Sequence, residues 1–109
     1  MASGTIERSP VNKEYTTINS NLAYAVANGI VFVYIINVTA NGNSWTSIGT
    51  MPSELRPPAE VDSVAFGGNY GNSYWCSCSV TANGKVQVGV TGSTSRVNVY
   101  GTVIYPYPS

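Results

Sequence analysis

The chain has 109 residues, no formal net charge at neutral pH and only 9% charged side chains. That length makes one domain able to bury roughly 60–65% of its unfolded surface, and the charge balance leaves neither a basic stripe for phosphates nor a polybasic segment for anionic lipid. Nucleic acid and membrane are therefore not expected partners, and no apolar run approaches the length that spans a bilayer.

In chain order, the opening "MASGTIERSP" lacks the apolar centre of a signal peptide, so synthesis in the cytoplasm is expected. Residues 1–20 read as a lead-in or linker and 21–109 as the domain proper. "EYTTI" and "NLAYAVA" read as short strands, and Asn28-Gly29 is a type I′ turn signal leading into "GIVFVYIINV". In that stretch Ile30, Phe32, Tyr34, Ile36 and Val38 alternate with Val31, Val33 and Ile35, and both sets are apolar. A strand with one wet face alternates apolar with polar, so both faces of this one are expected to be covered.

The remaining segments, "VTANGNSW", "VDSVAFG", "YWCSCSVTANGKVQVGV" and "RVNVYGTVIY", continue the strand pattern. The hairpin signal is clearest around Asn83-Gly84: Tyr74, Cys76, Cys78 and Val80 share one face, and Val86, Val88 and Val90 return on one face. Val97, Val99 and Val103 follow the same alternation with Gly101 in step. The pentapeptide "VTANG" occurs at Val38–Gly42 and again at Val80–Gly84, with nothing shared in the flanks, and reads as one hairpin chemistry used twice. About eight strands with no helical period predict an all-β fold, an antiparallel β-sandwich or jelly roll.

The chemistry available is narrow. There is no histidine, and the only acids are Glu7, Glu14, Glu54, Glu60 and Asp62. Cys76 and Cys78 stand two apart on a strand, about 6.6–6.8 Å between Cα atoms with parallel Cβ vectors, at the limit of what a disulfide tolerates. Free buried thiols are expected. Without a third cysteine or a histidine, no metal site can be completed, and no cofactor is expected. Glu60 and Asp62 could stand at the ~6.5–9.5 Å separation of an inverting glycosidase, but they follow "RPPA" in a segment that reads as a loop entering a strand, where two solvated carboxylates are the ordinary outcome. An enzyme is not expected. "GGNYGNSY" precedes a strand and not a helix, so it is no phosphate cradle.

That same stretch, Gly67 to Tyr74, has the composition of an antibody-like binding loop, with rings for contact area and Asn/Ser for adaptable hydrogen bonds. A pyranose offers an apolar C–H face to an aromatic ring and hydroxyls to amides, and eight tyrosines with Trp45 and Trp75 supply rings. The candidate ligand-binding residues are Trp45, Asn69, Tyr70 and Asn72, with Arg56 and Asp62 as hydrogen-bonding partners at the rim. The same Asn/Gly/Ser residues also make ordinary turns, Trp75 suits a core or an interface, and Arg56 suits a corner held through backbone carbonyls.

The run "IGTMPSELRPPAEVDSVAFGG", followed by "CSVTANGKVQVGVTGSTSRVNVYGTVIYP", resembles the C-terminal head domain of tailed-phage receptor-binding proteins, the tail-fibre or baseplate tip modules of phages of lactic-acid bacteria. The resemblance rests on Met51-Pro52 and Leu55-Arg56-Pro57 ahead of the Asn83-Gly84 hairpin, and covers about Leu22 to Ser109. It implies a homotrimer of antiparallel β-sandwich heads in the virion's tail tip, assembled in the host cytoplasm. The implied partners are a bacterial cell-wall saccharide and other tail or baseplate proteins. The family's usual N-terminal shoulder and neck have no counterpart in the residues ahead of the first strand, and no common set of sugar-binding positions transfers. In such a trimer the second face of Gly29–Val38 would lie against a neighbouring protomer; capping by "IERSPVNKEYTTI" is the competing expectation. A structural trimerisation module and a stand-alone carbohydrate-binding module are the alternative functions.

Overall fold

A computed structural model describes residues 15–69, 72–91 and 96–108. Eight strands account for most of them: β1 (Thr16–Asn19), β2 (Leu22–Ala27), β3 (Ile30–Ala40), β4 (Ser44–Thr50), β5 (Val61–Asn69), β6 (Asn72–Val80), β7 (Lys85–Val90) and β8 (Val97–Pro106), with one 3-10 turn at Ser53–Leu55. All pairings are antiparallel, and the strands form one sheet in the order β1-β2-β3-β8-β5-β6-β7-β4. The all-β antiparallel expectation holds.

The sheet rolls until its two ends meet, giving a flattened, nearly barrel-like sandwich. Asn19 Nδ2 at the end of β1 donates to the Ile48 carbonyl of β4 over 2.9 Å, and a methyl group on Gly49 would come within 2.8 Å of Leu22 Cδ2. One continuous core lies inside, built from Leu22, Val31, Val33, Ile35, Val38, Val80, Val86, Val88, Val90, Val97, Val99 and Val103. Valine dominates because a branched, compact side chain fits a pleated wall facing another wall at close range.

Two turns explain how the chain reverses. Asn28 and Gly29 both have positive φ, 52° and 77°, the left-handed pair that a type I′ hairpin demands and that Asn-Gly supplies at little cost. Between β6 and β7, Gly84 N donates to the Thr81 carbonyl over 2.8 Å and Thr81 N to the Lys85 carbonyl over 3.0 Å. With Gly84 alone at positive φ, 86°, this is a type I turn closed by a glycine bulge. The two "VTANG" copies do not share a fold. The first joins β3 to β4, which are not paired with each other, and there Asn43 takes the left-handed position, so the expectation of one hairpin used twice is corrected.

The apolar strand β3 also departs from simple alternation. Its pairing with β8 slips between Ile35 and Val38, with Asn37 at φ 47° and Asn21 Nδ2 donating to the Ile36 and Asn37 carbonyls at 3.0 and 3.2 Å. This bulge resets the phase, so Val38 and Ala40 join Val31, Val33 and Ile35 inside. The outward set is Phe32 and Tyr34, half-buried, and Ile36, exposed. Within this chain, then, the second face is only partly covered: Tyr15 meets the Tyr34 ring edge-on at 5.0 Å, and a shallow groove lined by Tyr15, Thr17, Ala23, Tyr34 and Ile36 stays open.

The stretch Met51–Arg56 plugs one end of the roll. Met51 and Leu55 are buried in the core, Met51 N donates to the Gly84 carbonyl over 2.8 Å, and Tyr105 Oη donates to the Leu55 carbonyl over 2.5 Å. Burial pushes the Tyr105 phenol up to about 12. Tyr105→Phe leaves a buried carbonyl without its donor and is expected to destabilise by about 1–3 kcal/mol, read as a melting temperature lowered by several degrees. The sign of the pH effect follows from a folded pKa raised above the unfolded one: the contribution is complete below pH 10 and fades as pH rises through about 12. An alkaline titration of stability should therefore lose part of its fall in Tyr105→Phe.

Candidate functional site

Inside the β5, β6 and β8 region there is little room. A methyl group on Gly67 would meet Cys76 Sγ at 2.8 Å, and one on Gly101 would meet Ala65 Cβ at 2.9 Å. Small residues, Ser63, Ala65 and Gly67, therefore take the inward positions of β5, and the large ones, Val64 and Phe66, point out. The same division places Trp75 and Tyr100 outside.

Register then arranges the outer face as rows across the strands, because directly paired residues share a face. Tyr100, Phe66 and Trp75 form one row on β8, β5 and β6. Val64, Ser77, Gly89 and Trp45 form the next, on β5, β6, β7 and β4. Asp62, Ser79, Gln87 and Ser47 form the third on the same four strands. Gln87 Nε2 donates to Ser79 Oγ over 3.2 Å. Trp75 is 78% exposed and Trp45 58%, so large rings stand in solvent on a sheet whose other face is dry.

The six sequence-derived candidates do not converge on one spot. Trp45 lies on β4, the last strand in the sheet order, and Asp62 is on the same face three strands away. Asn69 and Asn72 end β5 and begin β6 as a paired couple, so the stretch expected to be a long loop is strand almost to its tip, and Tyr70 between them lies outside the described residues. Asp62 and Asn69 are at opposite ends of β5. Arg56 is half-buried and away from the rows: its Nε donates to the Met51 carbonyl over 3.0 Å, and its chain covers Gly84. Sequence reasoning missed Phe66, Tyr100 and Gln87 and left Trp75 to a core or interface. The available signal was the small-large alternation of "VDSVAFG", which gives the interior to the small residues.

Glu60 and Asp62 touch. A hydrogen bond to Asp62, and the charge of Asp62, hold the Glu60 carboxyl above the usual carboxylate range. Among the described residues no cluster of three or more metal-binding side chains occurs, and no helix is long and apolar enough to cross a membrane.

Cys76 and Cys78 are unbonded and buried on the inner face of β6. Burial pushes both thiols up from their ordinary value, which lowers the thiolate fraction that reacts. Iodoacetamide at neutral pH is expected to leave both unmodified in the folded protein and to modify both in denaturant; rapid native labelling in an intact-mass measurement would contradict their burial.

The chain is thus an eight-stranded antiparallel sheet rolled around one valine core, with its β4–β5 corner hooked onto the β6–β7 hairpin, and this fold has a solved counterpart. The crystal structure of the head domain of phage bIL170, described among receptor-binding domains of lactococcal phages, superposes with a TM-score of 0.67 over 88% of this chain and 99% of that one, at 18% sequence identity. No protein-family model matches the chain, and no curated protein matches it in sequence.

Proposed function

We propose that this domain is the receptor-binding head of a phage tail tip, a non-catalytic adhesion module that attaches the virion to a saccharide on the bacterial surface. The observation that carries the reading is the fold likeness to the bIL170 head domain over nearly the whole of both chains. Fold alone does not dictate function. The exposed rings interleaved with hydroxyls and amides are the second support, because they suit a sugar's alternating apolar and polar surfaces. The head is made and assembled in the host cytoplasm, and other tail or baseplate proteins carry it. Residues 21–109 form the head together with β1 (Thr16–Asn19), which belongs to the sheet and not to the lead-in.

The working unit is a homotrimer joined through the outer faces of β2, β3 and β8. There Ala23, Ala25, Phe32, Tyr34, Ile36 and Ile104 give an apolar strip in which Phe32 stands opposite both Ala25 and Ile104. Individually weak sites on several copies then add through avidity without new contacts. The β5–β6 tip, with Asn69, Tyr70 and Asn72, stays a candidate contact, as do Trp45 and Asp62; Arg56 serves the corner first. A purely structural trimerisation module is favoured only by that strip, and a stand-alone carbohydrate-binding module only by the exposed tryptophans.

Two measurements test this. Ile104→Asp places a charge in the strip while leaving the core untouched, so light scattering should fall from three protomers to one with the β-sheet circular dichroism retained. Val33 and Ile35 cannot serve, since both point into the core and a charge there would unfold the domain. A parent protein that is monomeric at micromolar concentration would overturn the trimer. Adsorption of the labelled domain to bacterial cells, abolished by stripping wall polysaccharide, tests attachment; binding that survives stripping points to a protein receptor.

A further inference from the structure

The outer face divides into two chemically different halves. Over β2, β3 and β8 it is aliphatic and aromatic with few breaks, whereas over β6, β7 and β4 the positions between the two indoles are Ser77 and Gly89, and Ser79, Gln87 and Ser47 make up the row beyond Trp45. Ser79 is already buried beside Gln87, but a dry protein interface on the second half would bury the exposed Ser77 and Ser47 hydroxyls and the rest of the Gln87 amide, at a cost unless each found a partner. A sugar brings such partners with it.

Gly89 is the informative residue. A methyl group there would lie 2.9 Å from Cε3, Cζ3 and Cη2 of Trp45 alike. A point equidistant from three atoms of one six-membered ring lies on that ring's axis, so the Trp45 indole is laid face-on over the Gly89 backbone. Its opposite face is turned to solvent. Glycine inside a strand weakens the strand and marks a place where something approaches the backbone closely; here the thing that approaches is the indole. Covering a cross-strand glycine with a ring stabilises the strand pair, and it leaves the ring's other face presented flat, as a stacking platform requires.

Trp75 stands two strands over and one row along, about 12 Å from Trp45 between Cα atoms by sheet spacing, a span for an oligosaccharide rather than a single ring. Gln87 lies diagonally beside Trp45 on β7, one row further from Trp75. It spends one N–H on Ser79, and among the described residues the amide makes no other hydrogen bond, which leaves an N–H and Oε1 for hydroxyls. Among the described residues no charged side chain sits between the two rings.

We propose that Trp45, held flat by Gly89, together with Trp75 and Gln87, forms a stacking platform on the outer face of β6, β7 and β4 for a neutral oligosaccharide laid across the strands. The proposal rests on the saccharide reading above and moves the site from the β5–β6 tip to the sheet face. Trp45 and Trp75 are the chain's two tryptophans, so all of its tryptophan emission reports on the platform.

The experiment screens the purified domain on a printed array of bacterial surface glycans, lactococcal wall polysaccharides included, and titrates the strongest hit by tryptophan emission and calorimetry. The parent is expected to change its emission on binding. Trp45→Ala, Trp75→Ala and Gly89→Ala should each weaken binding at least about tenfold, with melting temperatures held, since neither ring is part of the core. Gly89→Ala is the sharpest arm because both rings remain and only the seat of one is lost. If the parent binds and all three variants bind equally well, the platform is overturned and the saccharide reading stands with its site elsewhere. If the parent binds nothing on the array, both fall.

Discussion

One continuous sheet closed on itself has a single inside, and everything else about this domain follows from that constraint. Eight strands can share one dry core only if each gives it a row of compact side chains, and here those rows are mostly valine, with Ser63, Ala65, Gly67 and Gly101 where the walls come closest. Bulk that cannot go in must go out. Phe66, Trp75 and Tyr100 are therefore outside because the interior at their level admits little more than a methyl group. The same crowding that makes the core dense makes the outer surface aromatic.

The constraint also divides the labour of the sequence motifs. Met51-Pro52 and Leu55-Arg56-Pro57 close the end of the roll, with Arg56 Nε on the Met51 carbonyl, Met51 N on the Gly84 carbonyl and Tyr105 on Leu55. A corner that joins the β4–β5 link, the β6–β7 turn and β8 fixes the relative height of strands far apart in sequence. The cross-strand rows that place Trp45 beside Gln87 depend on that height.

Local chemistry was legible in the sequence, and global arrangement was not. Asn28-Gly29 announced its turn because only that pair meets its backbone demand cheaply, and the Tyr74–Val80 and Val86–Val90 alternations announced their inward faces. The bulge at Asn37 was hidden: Ile36 and Val38 look like successive members of one face until Asn21 takes the two carbonyls that a regular ladder would have used otherwise. The Gly67–Tyr74 stretch read as a loop by composition, yet pairing to β6 on one side and β8 on the other overrides the weak strand preference of Gly and Asn. Nor could alternation reveal that β4 pairs with β7 and not with the strand before it. The flat seat of Trp45 depends on that pairing alone, since Trp45 and Gly89 lie 44 positions apart in the chain and meet only through the register of β4 and β7.

β8 sits in the middle of the sheet, between β3 and β5, although it is the last strand in the chain. During synthesis the first half of the sheet and the β5–β6–β7–β4 half can each form hairpins, but nothing joins them until β8 leaves the ribosome. Completion is thus all-or-none and late, governed by contacts of long sequence separation that close slowly. Until then the apolar flanks of β3 and β5 are open strand edges at high local concentration, where neighbouring nascent chains could pair with them. The time between the exit of β7 and the seating of β8 is therefore the period in which folding and aggregation compete.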